Sequence, residues 1–420
     1  MKLKQIFTSK IFMLGLLIRL LVMPFTGHYD LRGINFALYN LPFKGISNVY
    51  TVAEKGPLDY LVDVNFGRDY FIYPPLTYFT LGSFMTVFKP FYGPEFVNWI
   101  EGYGSDISKV LTHPQVWRYL FLMKLPYLFF DILLLFVLLK FFGKPKDREC
   151  ALKYWWLNPI VIFLPYLWGQ FDIIPSAVML AGVLYGVKNK PYHAAILFGL
   201  AASFKNYPLI LLPFLAIILG KNLWQMLKLF LAGLAPFVLT TIPFWGHEFF
   251  RRSVLFSWQS QKMLDFQLGL GGTDVIYPFV IGYALILLWT LYHLRGKYEL
   301  LYLPMVMTLT WYYATTNFHQ QWFMWVLPYL VILAVQDKKL CLIGLGVIGL
   351  FFLRLIELQA NVTSELFIWL APAFDDIPKS RYLIDILYDI GKFRGLVNSL
   401  FVALSFFVSV YLVTKSQVKS

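Results

Sequence analysis

RLLVMPFTGHYDL, residues 19–31, is where the first apolar run of the chain gives way to polar residues. The run covers about residues 11–25 and is flanked on its N-terminal side by Lys2, Lys4 and Lys10. Basic flanks stay on the cytoplasmic side of a membrane, so this segment predicts a first span running from inside to outside. It delivers one carboxylate, Asp30, to the outer membrane surface, with His28 and Arg32 beside it and a long polar loop after it. Arg19 interrupts the apolar core and no small-residue cleavage site follows, so the segment reads as an uncleaved span rather than a signal peptide.

The remaining 390 or so residues repeat this weave. Of 420 residues, 59% are hydrophobic, 19% aromatic and only 14% charged. Soluble domains carry about 25% charged residues, so the composition predicts an all-α, polytopic membrane protein. No polar stretch is long enough for a second domain, and residues 1–420 read as one unit. The net charge of +13 raises the question of a nucleic-acid partner, which the placement of the charges excludes. Segments 1–10, 143–153, 188–192, 221–228, 295–299, 336–339 and 415–420 hold 17 Lys/Arg against 4 Asp/Glu, and the rest holds 19 of each. The whole excess lies in short loops and tails, which is the signature of cytoplasmic orientation. Cys150 and Cys341 both fall on that side, where a disulfide is not expected.

Alternating basic and acidic connections give about 12 spans (11–13). Residues 26–117 form a large external region, and 246–274 and 360–395 form further external loops. Within the first region, Tyr73-Pro74-Pro75-Leu76 opens an apolar helix to about Phe88. Proline is tolerated in a first helical turn but not in an interior, so the pair marks a start. Charge parity favours an amphipathic or re-entrant helix here rather than a crossing. Several spans (154–168, 173–187, 192–204, 208–220) are shorter than the roughly 20 residues a lone spanning helix needs, so tilted or broken helices are expected.

This weave puts the unusual polar motifs on one face. Asp30 is a carboxylate at a water-exposed bilayer surface, suited to accept a proton, or an interfacial residue without a role. Asp172 ends Gly169-Gln170-Phe171-Asp172, where it reads either as a helix N-cap or as a second site carboxylate. Lys205 interrupts an apolar run in Lys205-Asn206-Tyr207-Pro208 and either snorkels to the surface or meets an anion such as phosphate. His319, in Asn317-Phe318-His319-Gln320-Gln321, faces a phosphate or sugar hydroxyl, or simply lines an aromatic belt. Arg354 and Glu357 share a helix face and either neutralise each other or leave Arg354 to a phosphate. Trp155, Trp156, Trp168, Trp322 and Trp325 read mostly as belt residues. No nucleotide-binding loop, dinucleotide glycine pattern or Cys/His metal spacing occurs.

Taken in order, Gly27-His28-Tyr29-Asp30, Tyr73-Pro74-Pro75-Leu76, Leu157-Asn158-Pro159, Gly169-Gln170-Phe171-Asp172 and Lys205-Asn206-Tyr207-Pro208 resemble the GT-C superfamily of polyprenyl-phosphate-sugar-dependent glycosyltransferases. The nearest likeness is to its mannosyltransferase-like branch, which includes relatives of the GPI mannosyltransferase I catalytic subunit. The resemblance covers the first half of the chain. It implies a general base at Asp30, an accessory acid at Asp172 and a phosphate contact at Lys205. His28, Arg32, Gln170, Tyr73, His319 and Arg354 complete the expected substrate- and phosphate-binding set. It further implies inverting transfer of a hexose, mannose foremost, from a polyprenyl-phosphate donor to a glycan, lipid or peptide acceptor outside the cytoplasm. The expected location is a prokaryotic plasma membrane or, in a eukaryote, the endoplasmic reticulum membrane. The first loop lacks a clear Asp-x-Asp, so a divalent cation is left open as the only candidate cofactor. The alternative function is a transporter or flippase for a lipid-linked or anionic solute, which broken helices and buried cations would also serve.

Overall fold

A computed structural model of the chain describes residues 3–54, 71–102, 106–356, 362–378 and 380–418. Helices dominate, and a single two-stranded hairpin is the only sheet among the described residues. Among the described residues, four helices are long and apolar enough to cross a bilayer, Val116–Leu139, Leu223–Phe244, Lys338–Ile356 and Ile390–Thr414. Six apolar helices are shorter, among them Ile173–Val187, Pro191–Ala202, Pro208–Leu219 and Pro278–His293.

The short helices are apolar all round, and Pro191–Ala202, Pro208–Leu219 and Pro278–His293 start at prolines, which supply a preset first turn and need no hydrogen-bond partner there. Pro191–Ala202 packs against both its neighbours, Ile173–Val187 and Leu223–Thr241. Its approach to the latter is so close that a Cβ on Gly199 would fall 2.0 Å from the carbonyl oxygen of Gly233. Small residues permit such contacts where helices associate in lipid. One buried apolar cluster runs from Ile6 to Leu412.

The segment 143–153, expected as a basic loop, folds instead as part of the helix Pro145–Trp156. Its Lys, Arg, Glu and Ala residues are good helix formers, and Pro145 and Asp147 suit a first turn. The chain then breaks at Asn158, whose side chain accepts from the Ile160 amide at 3.0 Å, and continues as Pro159–Ile162 and a π-helical turn, Phe163–Trp168. The first apolar helix is shorter than expected, Lys10–Val22. The double proline does open a helix, Pro75–Tyr92, which packs on Asn40–Lys44 and Val116–Leu139.

Two buried charges fasten the first helix. Arg19 Nε donates to Asp131 Oδ2 at 2.9 Å, and the guanidinium lies 3.8 Å above the Trp156 ring. Asp131 also accepts from Trp155 Nε1 and Tyr166 Oη, both at 2.7 Å. Gly15 makes room for this arrangement, since a Cβ there would meet Trp156 at 2.2 Å. Lys124, fully buried, donates to the carbonyls of Met23 (3.0 Å), Thr26 and Tyr166 (2.7 Å).

Candidate active site

Asp30 sits in the first turn of the helix Tyr29–Leu38, behind His28 at the N-cap. The turn is held from several sides: the His28 amide donates to the Trp168 carbonyl at 2.9 Å, the Gly27 amide to Leu366 at 3.0 Å, and Trp369 Nε1 to the Gly27 carbonyl at 2.5 Å. Asp30 is walled by protein, yet 46% of its side-chain surface is open. Its carboxylate is therefore partly exposed rather than sealed in the core.

Gln170 Nε2 donates to Asp30 Oδ2 at 3.1 Å. His28 Nδ1 lies 3.0 Å from the Asp30 amide and 3.2 Å from Asp30 Oδ2. A neutral Nδ1 accepts from the amide; a protonated one donates to the carboxylate instead. Burial pushes the Asp30 carboxyl up, but the charge and hydrogen bond of His28, with Gln170, outweigh it and hold it below the usual carboxylate range. Gly169 makes the Gln170 placement feasible. Its φ is +92°, and a Cβ there would press on Leu31 at 3.0 Å.

Asp172 stands before Ile173–Val187, but its side chain does not cap that helix. Both of its oxygens accept from Lys205 Nζ at 2.8 Å, and Oδ1 also accepts from Trp325 Nε1 at 2.6 Å. Tyr73 and Phe171, edge to face at 4.6 Å, cover the Lys205 ammonium at 5.2 and 4.7 Å. The turn that presents Lys205 is bound to the start of the Pro75 helix through Thr77 Oγ1 to the Phe204 carbonyl (2.9 Å). Trp325, Trp322 and Tyr207 form a continuous stack, with Trp325 4.0 Å from Tyr207 and 5.2 Å from Trp322.

His319 adjoins this stack, 5.1 Å from Trp322, and falls within electrostatic reach of both Lys205 and Asp30. Its Nε2 lies 3.1 Å from Lys262 Nζ. An ammonium can only donate, so His319 Nε2 accepts and its proton resides on Nδ1. Burial, with Lys262 and Lys205, holds the imidazole down to about 4. Lys262 is buried and lies over the rings of Trp258 (4.6 Å) and Trp322 (5.7 Å). Burial lowers it too, and the charge of Asp265 offsets this in part.

The structure thus gathers Asp30, His28, Gln170, Asp172, Lys205, Tyr73 and His319. Two other candidates, Arg32 and Arg354, are met by carbonyls and aromatic rings. Arg32 is buried and donates to the carbonyls of Trp99 (3.3 Å) and Ile100 (2.9 Å), at the end of the loop helix Phe96–Glu101. Arg354 lies against Phe318 at 4.5 Å and Phe401 at 5.1 Å; Glu357, paired with it in the sequence reading, falls outside the described residues. Lys262 and Trp325 join the site without having been singled out. Among the described residues no three His, Cys, Asp or Glu side chains converge as metal ligands. Asp172 already has both oxygens engaged, so the donor set does not fit a protein-held divalent ion.

A search of curated proteins returns no match for the chain. A family model does match part of it, from the start of the Val116 helix to the end of Tyr302–Thr315, and that part carries Gln170, Asp172, Lys205 and Lys262 while Asp30 and His319 lie outside it. What matches residues 116–315 is glycosyltransferase family 87, a membrane family of the GT-C type, and this similarity supports a membrane glycosyltransferase.

Proposed function

We propose that the protein transfers a hexose, mannose in the first instance, from a polyprenyl-phosphate carrier to an acceptor hydroxyl on the extracytoplasmic face, with inversion at the anomeric carbon. The observation that carries this reading is the unequal state of the two site ammoniums. Lys205 is already neutralised by Asp172. Lys262 is buried against two tryptophans with a neutral histidine as its hydrogen-bond partner. A desolvated cation that, among the described residues, forms no ion pair and has only the more distant charge of Asp265 near it favours an anionic ligand, and the phosphate of a lipid-linked sugar is one.

In this reading Asp30 Oδ accepts the acceptor's hydroxyl proton as that oxygen bonds to the anomeric carbon. The bond from that carbon to the phosphate oxygen breaks, and the polyprenyl phosphate leaves with one more negative charge. Lys262 balances that charge, and Nδ1–H of His319 donates to a phosphate or sugar oxygen. His28 Nδ1, 3.2 Å from Asp30 Oδ2, orients that carboxylate. Trp322 and Trp258 supply apolar surface for the sugar. Glycan, lipid and peptide alcohols remain the acceptor classes to test.

The test is turnover of radiolabelled polyprenyl-phosphate mannose by purified protein in lipid nanodiscs against a panel of those acceptors. Asp30→Asn is expected to reduce turnover by about 10²- to 10⁴-fold, the span of general base catalysis, while donor binding persists. Movement of labelled lipid across the bilayer that is indifferent to Asp30→Asn, with no transfer to any acceptor, would establish the transporter alternative instead.

A further inference from the structure

The loop 246–277, which carries Lys262 on its inner side, has an outer side of opposite character. Phe256, Trp258, Phe266, Leu268 and Leu270 are between 47% and 69% exposed. The last two lie on the strand Leu268–Gly271, paired antiparallel with Asp274–Ile276 through the glycine turn Gly271-Gly272. Every residue of the first strand is exposed. A lone two-stranded hairpin is marginal in water, and one that turns leucines outward needs something apolar to lie against.

We infer that this outer side is a lipid-contacting surface: it rests in the outer leaflet and holds Lys262 at the depth of headgroup phosphates. Three observations select lipid as the occupant. The apolar surface is continuous with a spanning helix, since Leu223–Phe244 ends in exposed Leu239 (70%) and Ile242 (52%) immediately before the loop begins. Exposed Trp245 and Trp258 are of the type that settles at membrane interfaces. The exposed pair Arg251 and Arg252 lies between these tryptophans, where headgroup phosphates would meet it. The carboxylates of Asp265 and Asp274, at the two ends of the hairpin segment, limit the depth to the boundary of headgroups and acyl chains.

The loop is also fastened to the site. Asn206 Nδ2, next to Lys205, donates to the Val254 carbonyl at 2.9 Å. Lys262 follows Trp258 by one helical turn, so the ring that meets lipid on one edge meets the ammonium on its face, 4.6 Å away. The membrane thus fixes the height of the ammonium that the proposed function assigns to the donor phosphate, and this second role rests on that assignment. A donor diffusing in the leaflet presents its phosphate at the same level and meets Lys262 without leaving the lipid.

The test places a fluorophore at the hairpin. A Leu270→Cys variant, with Cys150→Ser and Cys341→Ser, is labelled with an environment-sensitive dye and reconstituted into vesicles of phosphatidylcholine and phosphatidylglycerol. Replacing part of the lipid with bromine-substituted acyl chains is expected to quench the dye; emission equal in both vesicles overturns the proposal. This readout needs no turnover, so it stands apart from any failure of the proposed reaction. Where turnover is measured, Leu268→Gln with Leu270→Gln is expected to raise KM for a long-chain donor several-fold with kcat and thermal stability unchanged. A short-chain, water-soluble donor should be indifferent to the same change. An unchanged long-chain KM would overturn the link between the lipid surface and Lys262.

Discussion

Both carboxylate oxygens of Asp172 lie 2.8 Å from the ammonium of Lys205, and the pair is buried. Each charge is therefore the other's solvent. Removing one strands the other in a low-dielectric setting, which costs about 3–5 kcal/mol, whereas removing both is close to neutral. Asp172→Asn and Lys205→Met should each lower the thermal unfolding midpoint in detergent, and the double variant should recover most of the loss. A Lys205 that served donor phosphate instead would show the reverse pattern: weaker donor binding with an unshifted midpoint.

Lys262 should behave in the opposite way. Its removal strands no carboxylate, since its partner is the neutral His319 at 3.1 Å. Lys262→Met is expected to leave thermal stability at or above that of the parent. Donor binding should weaken by about 10- to 100-fold, the equivalent of one charge-assisted hydrogen bond. Lys262→Arg should restore part of it. Isothermal titration with a polyprenyl phosphate reads both, and a stability loss without a change in affinity would remove Lys262 from the site.

The titration of His319 gives a signed dependence on pH. The imidazole titrates at about 4 in the folded chain against 6.5 when free. Between those values the unfolded chain binds more protons, so stability rises with pH there and is lost as pH falls from 6.5 toward 4. His319→Gln should remove that component, and comparing parent and variant midpoints across the window measures it. Asp30, held below its usual carboxylate range, is ionised throughout the same window. The acid fall in turnover should accordingly begin near 4, where His319 gains its proton, and not near the ordinary histidine value.

How far the sequence reveals this site depends on what each residue's neighbours say. Asp30, Gln170, Asp172 and Lys205 were legible because each interrupts apolar sequence at a span end, where a charge is costly without a purpose. Their partners were not. That Asp172 holds Lys205 rather than capping a helix depends on how Ile173–Val187 lies against the 203–207 turn, and no local pattern encodes a contact 33 residues apart. Lys262 lies in a polar loop between two apolar helices, where a lysine is unremarkable; only the fold buries it against Trp322. Trp325 looked like one of many belt tryptophans, and its bond to Asp172 distinguishes it in space alone. For the fold, period and charge gave most helix positions. The break at Asn158 and the helix through 145–153 are hidden by charge, which marks a loop as readily as a helix, although those residues favour helix. The Leu268–Ile276 hairpin carried a readable Gly-Gly turn between apolar residues, overshadowed by the helical signal around it.

Lys124 offers the most direct check that scaffold and site are coupled. Its ammonium is buried in the Val116–Leu139 helix without a carboxylate partner and is satisfied by carbonyls of Met23, Thr26 and Tyr166. Met23 and Thr26 lie just before His28 and Asp30; Tyr166 lies just before Gly169 and Gln170. One side chain thus ties together the two segments that meet in the Gln170 to Asp30 hydrogen bond. Lys124→Met would take this donor from the Met23 and Thr26 carbonyls, while the Tyr166 carbonyl keeps Thr26 Oγ1 at 3.0 Å; each buried group left unsatisfied costs about 1–3 kcal/mol. The expected result is a lower unfolding midpoint together with a loss in kcat larger than any change in donor affinity, because Lys262 and His319 are held by other segments. Lys124→Arg should not rescue it, since a planar guanidinium cannot direct its donors as three tetrahedral N–H bonds do. Stability and turnover profiles of the two variants, measured beside Gln170→Leu, check the coupling: Gln170→Leu should reproduce the kcat loss alone.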